Sequence, residues 1–213
     1  AASEIFRERY PVSQYSVMGR PVDTDRYGAG RTSGRETFDL LTVTNLRYEE
    51  KYDGVLTVLR ALRPLFEAHP TLRYRVAGGG EYLAALREYL SDYEYADRVT
   101  ALGFVSAVED EFASANGFVY VSFLDSYGTV VLEAQAAGLP VIGGDVMGVP
   151  DAVGDAGDIC PPTSDGVRNT IERLLIDDDH RESLAAQSRR KMATYNQERA
   201  ADHVDVWEHV LDP

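Results

Sequence analysis

The chain has 213 residues, 44% hydrophobic and 26% charged, enough to build one large domain around a core. Acidic residues outnumber basic ones 35 to 21, and the formal net charge of −14 argues against nonspecific binding to nucleic acid or to an anionic membrane surface. No apolar run reaches the roughly 18 residues of a membrane span, and the charged start Ser3-Glu-Ile-Phe-Arg-Glu8 lacks the apolar centre of a signal peptide.

Residues 1–36 are polar and mixed, with a Gly/Arg-rich stretch from Gly28 to Gly34 that reads as loop; order is expected to begin near Phe38. Asp39-Leu-Leu-Thr-Val-Thr44 is an apolar, β-branched run that predicts a buried strand. Val55, Leu56, Val58, Leu59, Leu62, Leu65 and Phe66 recur at helical spacing and predict a helix over 53–68. Leu72 to Ala77 reads as a second strand stopped by Gly78-Gly-Gly80, Tyr82 to Leu90 as a helix, and Val99 to Leu102 as a third strand. Ser106-Ala-Val-Glu109 has the form of a capping box opening the next helix. Phe118 to Ser122 is the fourth strand, Gly128 to Ala137 a helix, Pro140 to Gly143 the fifth strand, and Ile159 the start of a short edge strand. Residues 166–211 read as mostly helical.

Strands and helices alternating every roughly 25–30 residues predict βαβ units and a parallel sheet covered on both faces. The fold class is therefore α/β, a doubly wound, Rossmann-like domain. Ligands of such sheets bind at the carboxyl ends of the strands, so the loops after Thr44, Ala77, Leu102, Ser122 and Gly143 are the ones to search.

The stretch Asp125-Ser-Tyr-Gly-Thr-Val-Val-Leu-Glu133 lies in one of them. If a helix begins near Gly128, the amides of residues 127–130 have no partner within the helix and, with its dipole, favour a pyrophosphate. Glu133, between one and two turns in, suits the vicinal hydroxyls of a ribose, and Asp125 suits sugar hydroxyls on the other side. Spacing alone is equally consistent with a turn glycine, a loop cap and a solvated helix carboxylate.

Asp125-x7-Glu133, followed by Ala-Gln-Ala-Ala-Gly-Leu-Pro-Val-Ile142, resembles the E-x7-E segment of retaining GT-B glycosyltransferases of family 4, the group 1 type. Pro21-Val-Asp-Thr-Asp-Arg-Tyr27 resembles that family's interdomain linker, which usually ends in Val-Asp-Thr-x-x-Phe. Leu41 to Gly54 resembles the segment carrying a Gly-Arg pair and then Lys-Gly, Val76 to Gly80 a Gly-x-Gly turn, Val99 to Val105 the strand and loop under the base, and Val146-Met-Gly-Val-Pro-Asp151 a Gly-Gly-x-Pro-Glu loop.

The resemblance implies a donor-binding half of a two-domain enzyme that moves a sugar from a nucleoside-diphosphate sugar to an acceptor hydroxyl with retention. Residues 1–36 would be the tail of a preceding domain and the linker, 37–195 the nucleotide-sugar-binding domain, and 196–213 a helix packing back toward the first domain. It implies that Glu133 holds the ribose, Asp125 contacts the donor sugar, Gly128, Thr129 and Val130 present amides to the diphosphate, and Phe104 and Val105 line the base. Lys51 would neutralise the leaving diphosphate, aided by Arg47, because Asn45 stands where the family usually has arginine. Asp125, one methylene shorter than the usual glutamate, is the other departure. No cofactor and no metal are expected. The acceptor, a glycan, lipid or small molecule, would come through the first domain, as would any peripheral membrane contact, and the chain alone is expected to transfer nothing.

Among 21 basic residues only Lys51 and Lys191 are lysine, so a lysine kept at this position is informative. Acidic excess with scarce lysine is the composition of a protein adapted to concentrated salt, where self-repulsion is screened. The single Cys160 fits a reducing, cytoplasmic setting and reads as a small buried residue. Asp177-Asp-Asp179 reads as a polar link with an N-cap rather than a metal motif, and Gly78-Gly-Gly80 fails the dinucleotide pattern at Leu83. Val204, Trp207 and Leu211 form an apolar stripe suited to packing. Two other classes stay open: a nucleotide-sugar epimerase on a similar fold, and a non-catalytic binding or scaffold domain.

Overall fold

The computed structural model describes residues 21–27 and 36–211, with residue 199 and residues 202–211 as backbone. A short helix, α1 (Thr24–Tyr27), precedes β1 (Phe38–Val43), α2 (Glu49–Ala68), β2 (Leu72–Ala77), α3 (Leu83–Ser91), β3 (Val99–Gly103), α4 (Val108–Ala113) and β4 (Gly117–Tyr120). Then follow α5 (Thr129–Ala136), β5 (Val141–Gly144), α6 (Val149–Val153), β6 (Asp158–Cys160), α7 (Ser164–Ile176) and α8 (Asp178–Leu211). The six strands form one sheet in the order β3-β2-β1-β4-β5-β6, and every pair is parallel. This is the doubly wound α/β architecture, with the topological switch between β1 and β4.

Both faces of the sheet are buried, and the strand pleat divides the core in two. Leu40, Val119 and Ile142 join Val55, Leu59, Leu62, Phe66 and Ile171 on the face covered by α2 and α7. Leu41, Phe118, Tyr120 and Val141 join Phe112, Val131, Leu132 and Val149 on the face covered by α4, α5 and α6. Each such fully buried side chain contributes about 1.5–3 kcal/mol.

Several elements differ from the sequence expectation. Helix α2 begins at Glu49, four residues before the predicted start, so Lys51 sits in its first turn and is buried rather than in a loop. The early turn is Glu-Glu-Lys-Tyr, which carries no apolar period to reveal it, while its acidic residues suit a helix N-terminus. Ser106 does not cap α4: the helix starts at Val108 after Ala107, and the Glu109 carboxylate accepts from the Arg26 guanidinium at 2.8 and 3.2 Å instead. Strand β4 ends at Tyr120, so Val121 and Ser122 lead out of the sheet. The five-residue α6 and the four-residue α1 are too short to show a helical period.

Residues 21–27 lie against this domain. The Asn196 side chain clamps Val22, accepting from its amide at 3.0 Å and donating to its carbonyl at 2.6 Å, and Tyr27 packs edge-on against Phe112 at 5.6 Å. Helix α8 is continuous across residue 195, and the Val204, Trp207 and Leu211 side chains lie outside the described residues. Cys160 is buried, and burial pushes its thiol up to about 11, with Asp158 and Asp145 adding to the shift. Asp177 accepts the His180 amide at 2.9 Å as the cap of α8, in keeping with a polar link.

Candidate functional site

The carboxyl edge of the sheet is tied together by loop-to-loop hydrogen bonds. The amides of Thr44 and Leu46 donate to Ala77 and Gly79, and the Gly78 amide donates to Gly103, so the loops after β1, β2 and β3 are joined into one ledge. Phe104 stands on this ledge, 82% exposed beside Gly79, and Val105 next to it is half-buried. Asn45 and Arg47 lie exposed on the loop after β1. Neither forms a hydrogen bond or ion pair with the site's other side chains among the described residues.

Across the switch point, α2 comes down onto the end of β4. A methyl group at Gly54 would lie 1.9 Å from the Val121 carbonyl oxygen, so only glycine permits this approach. The approach carries Lys51 to the loop after β4. Its Nζ donates to Asp125 Oδ2 at 2.9 Å and lies 3.0 Å from the Tyr120 hydroxyl. The Tyr120 hydroxyl donates to the same Asp125 oxygen at 2.6 Å. Asp125 Oδ1 accepts from the amides of Tyr127 at 3.1 Å and Gly128 at 2.6 Å. Side-chain exposure is 10% for Lys51 and 17% for Asp125, so the pair is largely withdrawn from water.

Titration follows from these contacts. Burial pushes the Asp125 carboxyl up, but the Tyr120 hydroxyl and the Lys51 ammonium outweigh it and hold the group below the usual carboxylate range. Burial pulls Lys51 down, but Tyr120 and Asp125 together hold it above its ordinary value. Two of the amides expected to face a ligand, those of Tyr127 and Gly128, are therefore already taken. Those of Thr129 and Val130 have no acceptor among the described residues, as the start of a helix requires.

Gly128 is the N-cap of α5 at φ +75°, a left-handed conformation that disfavours any residue with a Cβ. It turns the loop into the helix and so points the first free amides out of the sheet edge. Glu133 follows on α5, half-buried, and burial raises its carboxyl. Tyr27, its own hydroxyl pushed up to about 12 by burial and then by the Glu133 charge, offsets part of this rise, and the charge of Arg26 also favours the ionised form of Glu133.

The structure thus brings Lys51, Asp125, Gly128, Thr129 and Val130 together at the switch point. Glu133 lies farther along α5, and Phe104 with Val105 sits on the neighbouring ledge. Tyr120 and Tyr27 were not singled out from sequence. Tyr120 closes an otherwise apolar strand, and Tyr27 stands where the linker pattern has phenylalanine; in both, the hydroxyl is the signal.

The family model "Glycosyl transferases group 1" matches residues 29–191. A GDP-mannose-dependent α-(1-6)-phosphatidylinositol monomannoside mannosyltransferase of Mycobacterium tuberculosis is 29% identical over 202 residues, covering 84% of this chain and 51% of its own. A glycosyltransferase from Rickettsia africae superposes with a TM-score of 0.85 at 14% identity, covering 99% of this chain and 61% of its own. Anabaena HepE, solved in complex with UDP and glucose, superposes with a TM-score of 0.76 at 18% identity, covering 93% of this chain and 57% of its own. At these identities the solved structures establish the fold alone. The chain spans about half the length of the curated relatives it matches.

Proposed function

The chain belongs to the group 1 glycosyltransferase family, and from that premise we propose that it binds the nucleoside-diphosphate sugar from which the whole protein transfers a sugar to an acceptor hydroxyl. The observation that carries this reading is the convergence, at the switch point of the sheet, of a buried lysine with the free amides that open α5. Lys51 and the Thr129 and Val130 amides, with Arg47 on the adjacent exposed loop, would neutralise the diphosphate as it leaves. Glu133 would accept hydrogen bonds from the ribose hydroxyls, and Phe104 and Val105 would flank the base. Asp125 would face the donor sugar. The transfer is assigned with retention at the anomeric carbon.

Residues 37–195 form the donor domain in this reading, with residues 1–36 and 196–213 joining it to an acceptor-binding partner domain. The acidic, lysine-poor composition supports work in concentrated salt, and the single cysteine suits a reducing, cytoplasmic compartment. Saturation-transfer NMR of the chain with uridine, guanosine and adenosine diphosphates tests the assignment. One of the three is expected to show saturation at its base and ribose protons, lost in Glu133→Ala and unchanged by a metal chelator. Equal signals from Glu133→Ala and wild type would refute the ribose assignment. Retention is read from the anomeric configuration of the product made by the full-length protein.

A non-catalytic reading has one observation in its favour: the site's buried cation is already neutralised by its own carboxylate.

A further inference from the structure

We propose that Asp125 is a specificity-determining counter-ion, one that makes the donor site refuse bare anions and accept only ligands that bring further contacts. The inference rests on the donor-site reading above. An ionised carboxylate offers about four acceptor positions. All of them are used: Oδ1 takes the Tyr127 and Gly128 amides, and Oδ2 takes the Lys51 ammonium and the Tyr120 hydroxyl. These are charge-assisted contacts on a largely buried group, stronger than neutral ones.

Two consequences follow. Lys51 and Asp125 sum to zero charge, so an arriving phosphate gains no net positive charge from this pair. Asp125 also has no acceptor position left for a sugar hydroxyl until one of its four donors is released. A diphosphate that draws Lys51 or the Gly128 amide to itself supplies that release, freeing the carboxylate to turn toward the sugar. Inorganic pyrophosphate makes the same exchange with nothing to offset it. A nucleotide sugar offsets it at Glu133 and Phe104, which lie outside the four-donor cluster. The shorter aspartate favours this arrangement, because its carboxylate stays close enough to its own backbone to accept the amides two and three residues on.

Isothermal titration calorimetry of the chain with inorganic pyrophosphate tests the proposal. Asp125→Asn keeps an Oδ1 acceptor for the two amides and removes the charge. It is expected to bind pyrophosphate on the order of tenfold more tightly than wild type, as befits the loss of one charged competitor. The gain is expected to vanish when Lys51→Met is added. Asp125→Ser, which also retains a capping oxygen, is the second uncharged variant should the first fold poorly, and circular dichroism checks both. Unchanged or weaker pyrophosphate binding by both variants would overturn the proposal, as would a gain that survives Lys51→Met. If nucleoside diphosphates bind in a Glu133-dependent way but neither variant gains, this inference alone falls. If wild type binds no nucleoside diphosphate, the donor reading falls and takes the inference with it.

Discussion

Asp125 and Glu133 close the two ends of one nine-residue stretch, yet the fold treats them in opposite ways. Asp125 is enclosed by four donors and held more acidic than usual, whereas Glu133 is raised by burial, offset only in part by Tyr27 and Arg26. The first carboxylate contributes to stability and is spent within the protein. The second is desolvated without full compensation, which leaves it ready for hydroxyl donors from outside. A motif that looks symmetric in sequence is therefore asymmetric in energy.

The largest expected effect comes from breaking the satisfied end. Asp125→Ala strands the Lys51 ammonium and two backbone amides, and should cost about 3 kcal/mol of stability in urea unfolding, the lower end for a broken buried pair because some water reaches it. Lys51→Ala should cost a similar amount, with little further loss when the two are combined, as coupled partners require. Additive losses would show that the pair does not act as a unit.

Lys191 separates loss of a lysine from loss of this pair. Its ammonium donates to the carbonyls of Ala152, at 2.5 Å, and Val153, at 3.1 Å, closing the end of α6. Lys191→Met should cost about 2 kcal/mol and leave nucleoside diphosphate affinity within about twofold of wild type. A loss of affinity as large as that of Lys51→Ala would erase the distinction between them.

The smallest effect has the opposite sign. Glu133→Gln removes a charge that burial disfavours and should stabilise the chain at neutral pH by under about 1 kcal/mol while weakening ligand binding. The pH dependences should diverge as well. Because the folded-state value of Asp125 is depressed, its contribution is complete above the unfolded carboxyl value of about 3.9 and is lost as pH falls through the folded value. Because that of Glu133 is raised, its ionisation costs stability above the folded value. The advantage of Glu133→Gln should therefore shrink as pH falls through that value and disappear below the unfolded value of about 4.3. Melting curves of both variants from pH 3 to pH 8 would test this opposition; parallel profiles would refute it.

The strands and the parallel α/β class were legible because β1 carries a dense apolar run, β2 alternates apolar residues with arginine, and helical periods separate the strands. The opening of α2 was not, since Glu49, Glu50 and Lys51 show no apolar repeat, and nothing local to Gly54 signals its close approach to Val121. Asp125, Gly128, Thr129, Val130 and Glu133 stood out as candidates through their spacing taken together with the family resemblance, which alone pointed to Lys51. Their partners were not legible: Lys51 and Asp125 are 74 residues apart, and local pattern holds no record of such a contact. The capping box at Ser106 failed for the same reason, because Arg26, 83 residues away, claims Glu109.

The most direct test of the donor site is a calorimetric titration of the chain with uridine, guanosine and adenosine diphosphates in high salt, repeated on Lys51→Ala and Glu133→Ala. Saturable binding of one nucleotide by the wild type, lost in both variants, is the result predicted here. Binding of none of the three, or binding that both variants retain, would contradict it.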